Sequence, residues 1–221
     1  ALVIDEAHCI VEWGDDFRKE YSGLAKLRDY IGQETPILAA KATCDSEAFK
    51  VIWKSLKFGC RPFWGLDAGT DRSNLVYMTR VIKNPGNPLL DVLNIFPEKM
   101  DKDTPLTALP KCLFYFDTID NCATAVETLR KYLPAHLRLV VQTFKSTLSE
   151  AAKELVWDRF NKGEIRILCA TDAAGMGCNV ADVMFTILCS LTESVSVLSQ
   201  RWGRTGRNRS ILGTCILLVP R

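Results

Sequence analysis

Ala1-Leu-Val-Ile-Asp5-Glu6-Ala7-His8 opens the chain, an apolar run that ends in two adjacent carboxylates and a histidine. Such a run reads as a buried strand of a parallel sheet, which carries apolar side chains on both faces. The acidic pair then emerges at the strand's carboxyl end, where open α/β sheets bind ligands. There one carboxylate can hold the magnesium of a nucleotide through water, and the other can polarise an attacking water. Acids at a helix amino terminus would also suit the helix dipole, but the apolar strand ahead of them favours the chemical reading. A buried parallel strand needs neighbours. A strand that starts at residue 1 therefore carries the expectation that the chain is the latter part of something longer.

Working outward, 221 residues suffice for one large core or two modest ones. Hydrophobic residues make up 48% and charged residues 24%, the balance of an ordinary soluble globular protein. No apolar run approaches the roughly 18 residues a membrane helix needs, so no membrane partner is expected. With 28 basic against 26 acidic residues, the net charge of +2 neither demands nor excludes a nucleic-acid partner. Nine cysteines, at 9, 44, 60, 112, 122, 169, 178, 189 and 215, include no Cys-x-x-Cys pair. Cys112, Cys169, Cys189 and Cys215 fall inside expected buried strands, where a free thiol acts as a small hydrophobe. Reduced thiols, an intracellular compartment and no zinc site within the chain are the expectation.

Strand-like and helix-like segments alternate along the chain, which predicts an α/β fold of βαβ units around parallel sheets. The pattern predicts strands at Ala1–Ile4 and Pro36–Ala42, and helices at Arg18–Ile31 and Asp45–Phe58, the last stopped by Gly59. After Asp71 the register restarts. Strands are predicted at Leu75–Ile82, Lys111–Phe116, Leu137–Gln142, Ile165–Ala170, Val183–Ser190 and Gly213–Val219. Helices are predicted at Pro88–Phe96, from a cap near Thr118, at Leu148–Asn161 before Gly163, and from about Val195. A boundary near residue 73 divides residues 1–73 from residues 74–221. Two strands and two helices are too few for an independent α/β domain, so the first piece reads as part of one.

Directly after the acids, Cys9-Ile-Val-Glu-Trp13-Gly-Asp-Asp-Phe17-Arg18-Lys-Glu-Tyr21 places aromatic rings and a guanidinium in a turn-rich segment. Aromatic faces stack on bases, and arginine pairs with phosphate. Here the chain resembles the RecQ family of superfamily-2 DNA helicases. Their DEAH element runs into a loop of the form C-I-S-E-W-G-H-D-F-R-x-x-Y, from which this sequence departs at Val11 and Asp15. The resemblance implies two RecA-like parallel-sheet lobes, the first truncated at its amino-terminal side. It implies that Trp13, Phe17 and Arg18 sense single-stranded DNA and couple it to ATP hydrolysis. Asp5, through a water-bound Mg2+, and His8 would serve the nucleotide, and Glu6 would be the catalytic base.

Further elements follow in the family's order. Ala40-Lys41-Ala42-Thr43 stands where the family has L-T-A-T, with Lys41 replacing the first Thr, so that only Thr43 carries over. Asp71-Arg72-Ser73-Asn74 resembles D-R-P-N, with Ser73 for Pro. Ala170-Thr171-Asp172-Ala173-Ala174-Gly175-Met176-Gly177-Cys178-Asn179 resembles motif V, which implies that Thr171 touches DNA and Asp172 approaches the ribose. A hydroxyl and flexible glycines after an apolar strand suit close approach to a phosphate backbone. Gln200-Arg201-Trp202-Gly203-Arg204-Thr205-Gly206-Arg207 resembles motif VI, Q-x-x-G-R-x-G-R. Arginines three apart on one helical or turn face suit a triphosphate. The resemblance gives Gln200 to the nucleotide, makes Arg207 the arginine finger and makes Arg204 its companion. Phe144-Lys145-Ser146-Thr147-Leu148 matches the family's Y-H-A-G-L only in its aromatic and its Leu.

No Gly-x-x-x-x-Gly-Lys-[Ser/Thr] occurs among these residues. That loop cradles the β- and γ-phosphates, and family members carry it upstream of the DEAH element. Two readings follow. In the first, the chain is a fragment of an ATP-dependent DNA helicase of 3′–5′ polarity, nuclear if eukaryotic, and inactive in isolation. In the second, supported by Lys41, Ser73 and the altered 144–148 segment, it is a non-catalytic remnant with at most weak nucleic-acid binding.

Overall fold

The computed structural model describes residues 1–7, 10, 24–32, 34–41, 44–59, 62–67, 69, 71–171 and 180–221. The chain divides into two compact units, Ala1–Asp71 and Arg72–Arg221.

In the first unit, β1 (Leu2–Ile4) and β2 (Ile37–Ala39) pair in parallel, with Leu2 opposite Ile37 and Ile4 opposite Ala39. Helices α1 (Leu24–Ile31) and α2 (Ser46–Ser55) accompany them. The Asp45 carboxylate starts α2 by accepting the Ala48 N–H at 2.7 Å, a cap that satisfies an otherwise orphaned donor. Ile52 and Leu56 then turn inward onto Ile4, Ala7 and Ile10. The helix stops earlier than Gly59, because Lys57 already takes a left-handed backbone at φ 52. Gly59 follows at φ 96, and a Cβ there would lie 2.9 Å from the Trp53 ring. Trp53 in turn meets Phe63 edge-on at 4.6 Å.

The second unit is built on a six-stranded sheet in the order β3-β8-β7-β4-β6-β5, every neighbouring pair parallel. Its strands are β3 (Leu75–Val81), β4 (Cys112–Tyr115), β5 (Val141–Phe144), β6 (Ile167–Ala170), β7 (Phe185–Leu188) and β8 (Gly213–Val219). Helices α3 (Ile119–Tyr132), α4 (Glu150–Lys162) and α5 (Val195–Trp202) supply the crossovers. All four residues of β4 and of β6 are buried, as expected of central strands covered on both faces. Along β4 the side chains alternate between two cores. Cys112 and Phe114 join Cys122, Val126 and Leu129 of α3. Leu113 and Tyr115 join Phe144, Phe160 and, across α5, Leu198 and Trp202.

Caps set the helix ends where the sequence put them. Thr118 and Ser149 each accept a backbone N–H at the start of α3 and α4, and Gly163 closes α4 at φ 81. Two expectations fail. Pro88–Phe96 is not an α-helix but two 3-10 turns, Pro88–Asp91 and Leu93–Ile95. The Asp91 carboxylate accepts the Lys83 and Asn84 N–H groups at 2.8 and 3.1 Å, and Val92 leaves the helical region at φ −125. Leu137–Gln142 begins as a 3-10 segment, Ala135–Val140, so the strand starts at Val141. Leu137 and Val140 are the buried residues there, a spacing of three that suits a 3-10 turn rather than a strand.

One buried cation ties the sheet's lower edge. Lys111 is only 2% exposed, and its ammonium donates to Asp182 at 2.7 Å and to the Asn161 carbonyl at 2.8 Å. Asp182 is 46% exposed, so water can solvate it when the partner is lost. Lys111→Ala also empties the fully buried space the side chain fills near the Phe160 ring, whose centre lies 5.7 Å from the ammonium, and should cost about 3 kcal/mol, whereas Lys111→Met, which keeps the volume, should cost at most about 1.5. Urea unfolding followed through Trp157 and Trp202 fluorescence measures both, and equal losses would contradict this account. No helix among the described residues is long and apolar enough to cross a membrane.

Candidate active site

In the first unit the acidic turn follows β1 at its carboxyl end. The Asp5 carboxylate accepts the Glu6 N–H at 2.9 Å and stays exposed. Glu6, half-buried, holds a left-handed backbone at φ 50. For a non-glycine residue that conformation costs on the order of 1–3 kcal/mol and persists only where surrounding structure enforces it. The enforcement is visible on both sides of the turn. Ala40 N donates to Ile4 O at 2.9 Å, and Ala7 N donates to Ala40 O at 3.0 Å. The turn bearing the two carboxylates is thereby clipped to the first residue of the Ala40–Thr43 element, with Ala7 fully buried beneath it. His8, Trp13, Phe17, Arg18 and Thr43 lie outside the described residues.

In the second unit Thr171 sits half-buried directly after β6, at the sheet's carboxyl edge. Asp172 lies outside the described residues, as do the glycines of the same element. Phe144, by contrast, is buried against Trp157 at 4.6 Å and belongs to the core.

Gln200 is on the last turn of α5, which ends at Trp202, and Arg204 and Arg207 lie on the turn beyond. Gly203 has little room for a side chain, since a Cβ would stand 3.2 Å from Ser199 O. Thr205 is the anchor of this turn. Its hydroxyl, fully buried, donates to Thr186 Oγ1 of β7 at 2.6 Å and accepts from the Cys215 thiol of β8 at 3.4 Å. Gly206, at φ 51, donates its N–H to Val183 O at 2.8 Å, and Asn208 donates to Ala181 O at 2.8 Å. Gly213 of β8 makes the fit possible, because a Cβ there would be 2.5 Å from the Thr205 methyl. Burial pushes the Cys215 thiol up to about 11, against the opposing pull of Thr205 and Arg72. It stays protonated and donates.

The helicase conserved C-terminal domain matches residues 106–209, from just before β4 through the arginine turn. The RecQ-like DNA helicase BLM of Xenopus laevis is 30% identical over 208 residues, 94% of this chain and 14% of that protein. ATP-dependent DNA helicase Q-like 4B of Arabidopsis thaliana is 31% identical over 218 residues, 98% of this chain and 17% of that protein. The chain is thus similar to RecQ-like DNA helicases over nearly its whole length, and the helicase conserved C-terminal domain matches within its second unit. It spans less than a fifth of the length of these two relatives. Saccharomyces cerevisiae Dbp5 bound to RNA and ADP BeF3 shares the fold, with a TM-score of 0.70 at 17% identity over 99% of this chain and 53% of that one. The chain is therefore α/β with RecA-like parallel sheets.

Two residues of this candidate site carry more than the motif spacing alone reveals. Arg201 shares the three-residue spacing of Arg204 and Arg207, yet it is buried, with its guanidinium 5.1 Å from the centre of the Tyr115 ring. The helical phase carries the signal, because Arg201 stands three residues after the core residue Leu198. Thr205 has no comparable signal. Its partners on β7 and β8 are set by strand order, which the local pattern does not encode.

Proposed function

We propose that the chain carries part of the phosphoryl-transfer and DNA-coupling machinery of an ATP-dependent DNA helicase. What carries this reading is the enforced left-handed Glu6 beside Asp5 at a parallel strand's carboxyl end, in a chain about 30% identical to named RecQ-like DNA helicases over nearly its whole length. Strained non-glycine backbone held by its neighbours favours a functional demand on the side chain.

The donor set suits Mg2+-ATP in part. Asp5 is an exposed oxygen ligand of the kind magnesium takes while keeping several waters. Glu6 orients and deprotonates the attacking water, and Arg204 and Arg207 balance charge on the transferring group. Gln200, His8 and Asp172 complete the nucleotide contacts in this reading. Mg2+-ATP supplies the phosphoryl group. The chain has no Gly-x-x-x-x-Gly-Lys-[Ser/Thr] sequence to cradle the β- and γ-phosphates, so on its own it should bind nucleotide too weakly to turn it over. A thermal-shift titration of the isolated chain with a non-hydrolysable ATP analogue tests this, and clear stabilisation would refute it.

Single-stranded DNA is the partner, met by Trp13, Phe17 and Arg18 after the acids and by Thr171 at the second sheet's edge. Translocation from 3′ to 5′ and an intracellular, in eukaryotes nuclear, location accompany that assignment. In the full-length protein that contains these residues, Trp13→Ala should abolish most DNA stimulation of ATP hydrolysis and leave basal turnover unchanged, since a stacking contact is worth about 1–3 kcal/mol per base. Full stimulation in the variant would remove Trp13 from the interface. The second reading, a non-catalytic remnant, is favoured by Lys41 and Ser73. It predicts no DNA-dependent hydrolysis even from the full-length protein.

A further inference from the structure

Arg72 and Asn74 lead into β3 at the edge of the six-stranded sheet, and both side chains reach the arginine turn. The Arg72 guanidinium donates to the Thr205 carbonyl at 3.0 Å and also to the Gly206 carbonyl. Asn74 Nδ2 donates to the same Gly206 carbonyl at 2.8 Å and to Ile211 O at 2.9 Å. Its Oδ1 accepts from Arg72 at 3.5 Å, which holds the two side chains together. The backbone adds a further tie, from Gly213 N to Asn74 O at 2.9 Å.

The place of these bonds gives them consequence. Thr205 and Gly206 are all the chain there is between Arg204 and Arg207, and both of their carbonyls are taken by Arg72. On the other side, Thr186, Cys215 and the Val183 carbonyl hold the same two residues. A Cβ on Gly206 would stand 2.9 Å from Asn74 Nδ2, so the turn is shaped to meet that side chain. Because Arg72 and Asn74 grip main-chain oxygens, they set the path of the peptide that carries both arginines. A planar guanidinium can serve two adjacent carbonyls at once, which an ammonium does poorly.

We propose that Arg72 and Asn74 are positioning residues for phosphoryl transfer, holding the 204–207 turn in the path that presents Arg207 to the transferring phosphate. The inference rests on the role given to Arg207 above. It makes the start of β3, rather than the helix before the turn, the part of the fold that fixes the finger's geometry.

The test uses the full-length protein with Arg72→Ala, Arg72→Lys and Asn74→Asp. The last keeps the side-chain volume but replaces both amide donors with a carboxylate facing two carbonyls. For Arg72→Ala and Asn74→Asp, kcat for DNA-stimulated ATP hydrolysis should fall on the order of 10²-fold, and for Arg72→Lys about tenfold. KM for ATP and Kd for single-stranded DNA should stay within about twofold. In the same samples, hydrogen exchange at the Gly206 and Asn208 amides should accelerate at least about tenfold while the β4 amides keep their protection. Unchanged kcat, or unchanged exchange at Gly206, overturns the proposal. So does a lowered melting temperature with β4 equally deprotected, which would mean a general scaffold role. A wild-type protein without DNA-stimulated hydrolysis overturns the function and this inference together, whereas a working wild type with unaffected variants overturns this inference alone.

Discussion

Glu6→Gln in the full-length protein should lower DNA-stimulated ATP hydrolysis by about 10²–10⁴-fold, the range a positioned general base contributes, with nucleotide and DNA affinities near wild type. Gln is the informative substitution because it keeps the length of the side chain and the cost of the left-handed backbone at φ 50. Only the negative charge and the capacity to take a proton are lost. The clip between Ala7 and Ala40 depends on main-chain atoms alone, so the variant turn should fold as the wild type does. Asp5, proposed above to hold the metal, is untouched by the substitution, so binding should survive while chemistry stops. Steady-state hydrolysis with saturating DNA, beside equilibrium binding of a labelled ATP analogue, separates the two. Turnover like the wild type's would remove Glu6 from the mechanism, and loss of nucleotide binding would make it a ligand instead.

The parts of this fold that were legible in the sequence are those governed by short-range physics. β8 runs over Gly213–Val219 as the apolar run does, and α5 begins at Val195 where Ser194 caps it. α4 ends at Gly163 because only a residue at ease with φ 81 can take that position. The failures have separate causes. At Pro88–Phe96 the apolar spacing is compatible with a helix, but the Asp91 carboxylate is drawn back to Lys83 and Asn84, a competition the spacing does not reveal. At Leu137 an apolar run reads equally as strand or tight turn. The site was legible as a set of motifs and not as a construction. Asp5, Glu6, Arg204 and Arg207 could be named from sequence. The clip through Ala40, the Thr205 anchor between β7 and β8, and the hold of Arg72 and Asn74 all depend on which strands lie side by side. That order places β3 next to β8, the first and last strands of the unit.

Arg207→Ala should reduce kcat by about 10³–10⁵-fold, the worth of an arginine finger in phosphoryl transfer. The competing role for an arginine on a basic turn is a contact to the DNA backbone, and the two roles differ in what salt does. A lost phosphate contact weakens DNA binding across all sequences and lowers the slope of log affinity against log salt by about 1. A lost finger leaves both the affinity and the slope unchanged, because charge on the transferring group develops only in the transition state. The geometry favours the finger. Arg207 is half-buried, with Nε directed back to Gly203 O at 3.5 Å, and it follows a glycine whose carbonyl is held by two side chains. A DNA-backbone contact gains little from so fixed a path, since lysines and arginines on mobile stems bind phosphate well. Orientation within a transition state gains a great deal. Arg207→Lys sharpens the distinction: an ammonium restores a DNA phosphate contact nearly in full, but not a planar two-point grip on a transferring phosphoryl group. Recovery of kcat to within a few fold by Lys would therefore assign Arg207 to DNA, and a kcat as low as that of the Ala variant would assign it to the chemistry.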